Sequence, residues 1–410
     1  MKRTLYLCLI AFIAVSCNST KVLTVTVTNA SDLARAGELI ELSVESVSGI
    51  LTLKPADTFV ITDSAGIEIP YQITYDNNVI FPVNAASAGS ATYTIAKGIP
   101  AEVAPVTFGK QYPERVDDIA WENDLVAFRT YGPALQVTGE KAFGYDIWNK
   151  NVKSLVVEAR YAKELNPETK AKIAELKKTD PKTAAELQKE VSYHVDHGDG
   201  MDCYKVGPTL GAGTSALLAD DAIVYPYCYK TYEILDNGPL RFTVKLVYNP
   251  LAVKADTNVV ETRIISLDAG SYLNKTTVSY EGLSEETPLA VGIVLHEPNG
   301  EAVAADAEAG YMTYIDPTEN PKSDNGKIFV GAAFPSKVKE AKVVLFSKKE
   351  KQERGADGHV LAISDYKSGD YTYYWGGVWS KSDIQDPAAW NQYVSEFALK
   401  AANPLVVEVK

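Results

Sequence analysis

The chain has 410 residues, with 40 Lys and Arg against 53 Asp and Glu, a net charge of −13, and four histidines. This balance argues against the clustered basic surface that phosphate binding needs, so no nucleic acid is expected as a partner. The length suggests roughly two or three domains, with a core large enough to need no disulfide staple.

The first residues read as a targeting segment. Lys2 and Arg3 precede an apolar run over 5–15 that is short for a membrane span, and the run ends Ala14-Val15-Ser16-Cys17. Small residues before a cysteine resemble a bacterial lipobox. Residues 1–17 are therefore expected to be a lipoprotein signal with Cys17 as the lipid attachment point; an ordinary secretory signal is the alternative. No later stretch approaches the roughly 18–20 apolar residues of a membrane helix. The mature chain is expected to be exported, on the periplasmic side or the outer membrane, and to meet a membrane only through that lipid. Cys203 and Cys228 then remain, either joined or as two buried thiols.

Residues 21–100 carry short segments such as "KVLTVTVTN", "LIELSVESV", "TFVITD" and "ATYTIAKG", several alternating apolar with polar and punctuated by Asn, Asp, Gly and Ser. That spacing predicts a small antiparallel β-sandwich. Pro100, Pro105 and Pro113 mark a linker. Residues 115–410 hold longer strands, among them "DLVAFRTYG", "AIVYPYCYKTYEIL", "LRFTVKLVYN", "LAVGIVLHE" and "HVLAISDY". Turn-like connections at Asp236-Asn237-Gly238-Pro239 and Glu297-Pro298-Asn299-Gly300 favour large packed antiparallel sheets. The fold class is thus expected to be all-β, interrupted by one helical insertion at 162–191. Asn166-Pro167 and Asp180-Pro181 each pair an N-cap with Pro at the first helical position, predicting helices over 167–178 and 181–191.

The loop that follows reads "YHVDHGDGMD" and holds His194 and His197, half of the chain's histidine. One reading is a divalent-metal site built from His194, His197, Asp196 and Asp199, although the spacing of a calcium loop is absent. A structural turn with hydrogen-bonded aspartates is another. The third is proton transfer, for which imidazole is suited near neutral pH. On the strands, Ala127, Arg129 and Tyr131 alternate onto one face, as a sheet lining a cleft would require. "YTYYWGGVWSK" gathers Tyr374, Trp375 and Trp379 around two glycines. Each aromatic is ordinarily core packing, but together they offer flat apolar surfaces with polar tips, the kind that sugars stack on. No nucleophile elbow, P-loop, dinucleotide fingerprint or H-E-x-x-H occurs.

"WENDLVAFRTYGPAL", "GYDIWNK", "YHVDHGDGMDCYKVGPTLGAG" and "YYWGGVWSK" resemble the Bacteroidetes family called domain of unknown function 4861, over nearly the whole mature chain. The resemblance implies a carbohydrate-utilisation lipoprotein. It also implies a main domain similar to the β-supersandwich of galactose-mutarotase-like and polysaccharide-lyase proteins. The expected activity is that of a carbon–oxygen lyase, a dehydratase or polysaccharide lyase acting on uronic-acid oligosaccharides. The alternatives are a non-catalytic glycan-binding protein and a mutarotase-like epimerase. Elimination needs a cation for the carboxylate, a base for the C5 proton and an acid for the leaving oxygen. Arg129 is the first candidate for the cation, with Arg263 or Lys205 behind it. His194 or His197 is the candidate base, and Tyr193, Tyr204 or His296 the acid. Tyr131, Tyr374, Trp375 and Trp379 are candidate substrate contacts, and no cofactor beyond the divalent metal is indicated.

Overall fold

The computed structural model describes residues 21–297 and 302–410. The signal segment with Cys17, and residues 298–300 of the second expected turn, lie outside the described residues. The chain is predominantly antiparallel β, with seven α-helices among the described residues. No described helix is long and apolar enough to cross a membrane.

In Val22–Thr28, Leu23, Val25 and Val27 are fully buried while the intervening threonines and Val22 are not, which is the period-2 pattern of a half-buried strand. This strand belongs to a five-stranded sheet ordered Val406–Val409, Val22–Thr28, Ser90–Lys97, Phe59–Thr62, Glu68–Ile69. A three-stranded sheet of Arg35–Ser43, Asn78–Ala85 and Gln72–Ile73 shares its core: Leu23, Val25 and Ile95 meet Ile40, Phe81 and Val83. Two features depart from expectation. The strand foreseen across 39–47 stops at Ser43, whose side chain accepts from the Ser46 amide and caps a helix over Val44–Leu51. The last strand of the chain pairs with the first, Val27 opposite Val407, so the C-terminus completes the N-terminal sheet.

The main body has a nine-stranded sheet, a five-stranded sheet and a four-stranded sheet around one core. The four-stranded sheet runs Asp146–Trp148, Ala127–Thr130, Asp118–Glu122, Phe108–Tyr112. Trp121 and Phe128 from it meet Phe242 and Trp375 of the nine-stranded sheet, and Val291 and Ile293 bring in the five-stranded one. The expected single strand at 222–235 is two, Ala222–Val224 and Tyr229–Asn237, in different sheets.

The helical insertion forms as its caps dictate. Asn166 accepts from the Thr169 amide ahead of Pro167–Thr179, and Asp180 from the Thr183 amide ahead of Pro181–Val191. A third helix, Val157–Glu164, precedes them, its first amides at Val156 and Val157 bonded to the buried Glu122 carboxylate (2.7–2.9 Å). A long helix near the end, Pro387–Ala402, is capped by Asp386 and lies on the nine-stranded sheet through Trp390 and Val394. The fold is therefore mostly rather than wholly β.

Candidate functional site

The histidine loop packs as a turn. Asp196 Oδ1 accepts from the Gly198 and Gly200 amides (2.8 and 3.1 Å), and Gly200 adopts φ +102°, where an added Cβ would lie 2.2 Å from the Asn149 carbonyl oxygen. His197 is exposed and meets the Ser192 carbonyl through Nε2 (3.1 Å). His194 Nδ1 lies 3.1 Å from the Asp202 carbonyl and 3.7 Å from its carboxylate. The arrangement does not make the expected metal centre: among the described residues no group of three or more His, Cys, Asp or Glu stands together as a metal-binding set. Asp196 is spent on the turn, and Asp199 leans toward Arg160 (3.5 Å).

Behind the loop, Arg129 sits in a buried carboxylate cluster. Its Nε donates to Asp146 (2.8 Å) and its Nη2 to Asp202 (2.9 Å), while Asp118 lies 3.6 Å from Nη1. The Tyr131 hydroxyl donates to Asp146 (3.1 Å). Burial pushes the Asp146 carboxyl up to about 7, with Asp202 adding repulsion and Arg129 opposing both. Burial likewise lifts Asp118, to about 6. The face of Ala127 and Arg129 was expected to line a cleft. It is instead covered by Trp148 of the neighbouring strand, Tyr161 of helix Val157–Glu164 and Tyr193 of the histidine loop. Tyr193 holds Arg115 through its hydroxyl (3.0 Å) and is buried. With three carboxylates around it, the Arg129 charge is already compensated.

A second group of the candidate residues does meet at a cleft. His296, at the end of strand Thr287–Leu295, sets Nδ1 2.6 Å from Asp316 Oδ2, and Asp316 Oδ1 accepts from the Thr318 amide (2.8 Å). The Tyr314 hydroxyl accepts from the His296 and Glu297 amides (3.0 Å each) and fixes the backbone. The Asp316 contact favours the tautomer with Nδ1–H, in which Nε2 is the acceptor. The Tyr204 ring meets the His296 ring edge-on at 6.2 Å. Among the described residues, His296 Nε2 and the Tyr204 hydroxyl are both buried without a hydrogen-bond partner. Burial keeps Tyr204 well above the usual phenol range, hence protonated. His296 borders a cavity of about 340 Å3 with Lys205, Glu297, Thr318, Glu319, Lys351 and Asp357. Lys351 is paired with Asp357 (2.6 Å), whereas Lys205 makes no ion pair among the described residues. Gly355 leaves room for it: a Cβ there would lie 2.8 Å from Lys205 Nζ.

The two groups join through the backbone. Asp202 faces Arg129, the Cys203 carbonyl accepts from the Glu319 amide (2.9 Å), Tyr204 packs into the core against His296, and Lys205 lines the cleft. Other candidates lie elsewhere. Arg263 is fully buried, bonded to Glu261, Tyr145, Tyr248 and the Ser215 carbonyl. Trp375 is stacked on Tyr145 at 4.0 Å inside the core, and buried Trp379 donates to the Asn325 carbonyl. None of these three is open to a substrate, because each lies on the buried face of its strand. Tyr374 is half-buried and borders a different cavity. Cys203 and Cys228 are separate buried thiols. Asp316, Asp146 and Asp118 escaped the sequence reading. The signal was there: Met312, Tyr314 and Asp316 share one face of a strand, so the pattern puts a carboxylate where the core should be.

Among known proteins, "Uncharacterized protein P7" of Formosa agariphila is 27% identical over 404 residues, covering 94% of this chain and 93% of that protein. Among solved structures, an α-mannosidase from Enterococcus faecalis V583 and a glycosyl hydrolase family 38 protein from Enterococcus faecalis each align at 9% identity with a TM-score of 0.49. Those alignments cover 95% and 96% of this chain but 46% and 48% of the other two, so it spans about half their length. The family described as "Domain of unknown function (DUF4861)" matches residues 27–407, and the chain belongs to it.

Proposed function

We propose that the protein is a carbohydrate-active carbon–oxygen lyase that eliminates water or a sugar from uronic-acid oligosaccharides at the His296 cleft. The observation that carries this reading is the Asp316-held imidazole and Lys205 in one cavity, with the protonated Tyr204 packed against the imidazole behind the lining and, among the described residues, no partner for its hydroxyl or for the Lys205 charge. A buried polar group without a partner costs about 1–3 kcal/mol, so two in one place ask for a ligand that satisfies them. In the reaction, Lys205 meets the substrate carboxylate and stabilises charge developing on it. His296 Nε2 takes the proton at C5, and the C5–H electron pair becomes the C4=C5 double bond. The C4–O bond breaks, and the leaving oxygen takes the Tyr204 proton to depart as water or a sugar hydroxyl. The imidazolium, steadied by Asp316, then returns a proton to the tyrosinate through solvent. A positioned acid or base of this kind contributes about 100- to 10,000-fold. The two large sheets around this cleft are read as the supersandwich of the main domain, and the protein as an exported lipoprotein tethered at Cys17.

Incubation with sulfated and non-sulfated uronic-acid oligosaccharides should raise ultraviolet absorbance from a conjugated enoate, and His296→Gln should abolish the rise. Binding without absorbance would leave a glycan-binding protein, and anomer exchange alone a mutarotase. Radiolabelled palmitate should be incorporated by the wild type and lost in Cys17→Ser; label retained in that variant would refute the anchor.

A further inference from the structure

Tyr374, one of the aromatics that the sequence sets apart, has no place in the His296 cleft. Its neighbours Tyr373 and Trp375 are buried in the core, so Tyr374 stands on the other face of the nine-stranded sheet. In register beside it on that face are Lys275 and then Ser266. The face is not open. The N-terminal strand Arg35–Ser43 and the C-terminal helix Pro387–Ala402 roof it, enclosing a cavity of about 330 Å3. Phe397 of the helix meets Tyr374 edge-on at 4.9 Å, and Tyr393 lies 6.1 Å from Phe397, so one wall is aromatic.

The charges in this cavity divide unequally. Glu41 is paired with Arg241 (2.6 Å), which also grips Asp268 with two nitrogens, and Glu38 is paired with Arg35 (2.9 Å). Glu38 thus has its own cation, while Glu41 and Asp268 share Arg241. Lys275 and Lys400 also line the cavity, and neither makes an ion pair or side-chain hydrogen bond among the described residues. The surplus is positive, next to rings with polar tips. An apolar wall alone would suit any hydrophobe, and lysines alone any small anion. Both together fit a ring that is apolar on its C–H face and carries a negative group at its edge.

We propose that this cavity between the N-terminal sheets and the main body is a second binding site, for an anionic saccharide. The sugar face lies on Tyr374 and Phe397, and its carboxylate on Lys275 and Lys400. The site is separate from the His296 cleft and does not depend on the reaction assigned there. It would hold a carboxylated chain by its anionic ring while another part is processed elsewhere.

The test is calorimetric titration of the whole chain carrying His296→Gln, with trigalacturonate as probe and maltotriose as the uncharged control, at low salt. Trigalacturonate should bind, and Lys275→Ala with Lys400→Ala should weaken it at least tenfold, as should Tyr374→Leu. Lys275→Arg with Lys400→Arg should retain binding, which separates lost charge from lost folding. Maltotriose should bind at least tenfold more weakly than trigalacturonate. No binding at millimolar probe would overturn the proposal. So would an affinity that falls with Lys205→Ala but not with the lysine pair, since the probe would then sit only in the His296 cleft, leaving the lyase reading intact. Loss with the lysine pair, in a protein whose wild type never makes an enoate, would uphold this site and sink that reading.

Discussion

Replacing Arg129 with Met separates a structural guanidinium from a catalytic one. Arg129 is 4% exposed and donates to Asp146 and Asp202 with Asp118 close by, so Arg129→Met leaves three buried carboxylates without their shared cation. Removing one partner of a buried ion pair costs about 3–5 kcal/mol, a large part of the roughly 5–15 kcal/mol by which a folded protein is stable. The loss should also depend on pH. Arg129 holds down both the Asp146 and the Asp118 carboxyl, which burial already raises to about 7 and about 6. Without it both rise further above the unfolded value of about 3.9. A carboxyl with a raised folded pKa contributes stability that is present at low pH and lost as pH climbs through the window between the two values. The variant's deficit relative to wild type should therefore be smaller at pH 5 than at pH 8. Urea unfolding of both proteins at the two pH values measures it. A deficit under about 1 kcal/mol, or one equal at both, would refute the argument that this charge is consumed internally.

His359 is fully buried, its Nε2 accepts from the Leu210 amide (3.1 Å), and burial pushes it down to about 3. Its contribution is present above the unfolded pKa of about 6.5 and is lost as pH falls toward 3, by up to about 1.4 kcal/mol per unit. His359→Gln keeps an acceptor without titrating, so it should flatten the acid limb of a stability profile; an unchanged limb would contradict this. Gly200→Ala should lower the urea midpoint markedly more than Gly198→Ala, because both have positive φ but only Gly200 faces a backbone oxygen; equal effects would show that the loop gives way freely. His197→Ala should alter stability by less than about 0.5 kcal/mol and leave turnover intact, since its ring meets only a surface carbonyl; lost turnover would return the loop to the chemistry. Asp180→Ala should cost about 1 kcal/mol by chemical denaturation, the usual worth of an N-cap, and an unaffected midpoint would show that the cap is idle.

Local signals in the sequence translated directly into local structure. Asn166 and Asp180 cap helices because a side-chain oxygen three residues ahead of a free amide is a contact within one turn, needing nothing from the rest of the chain. Asp386-Pro387 carries the same signature and starts a helix that the β-rich surroundings hid. The alternation in Val22–Thr28 likewise announced a strand with one buried face. It could not announce the partner: Val406–Val409 completes that sheet from the far end of the chain, and hydrogen-bonded register is blind to sequence distance.

The site divides along the same line. Residue types alone drew attention to His194, His296, Tyr204, Lys205 and Arg129, because proton carriers and cations are scarce here and suit the chemistry. Which of them share a space was a matter of packing. The strand pattern of Arg129 gave one face of the right polarity, but a period of two states only that a face exists, not what covers it. A neighbouring strand, the helix Val157–Glu164 and the histidine loop cover it, and three aspartates from separate segments neutralise the charge. The His296 dyad brings together the ends of two strands, Asp316 lying twenty residues on, while Tyr204 arrives from a loop ninety-two residues earlier. Chain order thus determined which chemistry this protein can attempt. Tertiary packing alone decided which of those groups stand together and which are covered, because burial and pairing are set by neighbours in space.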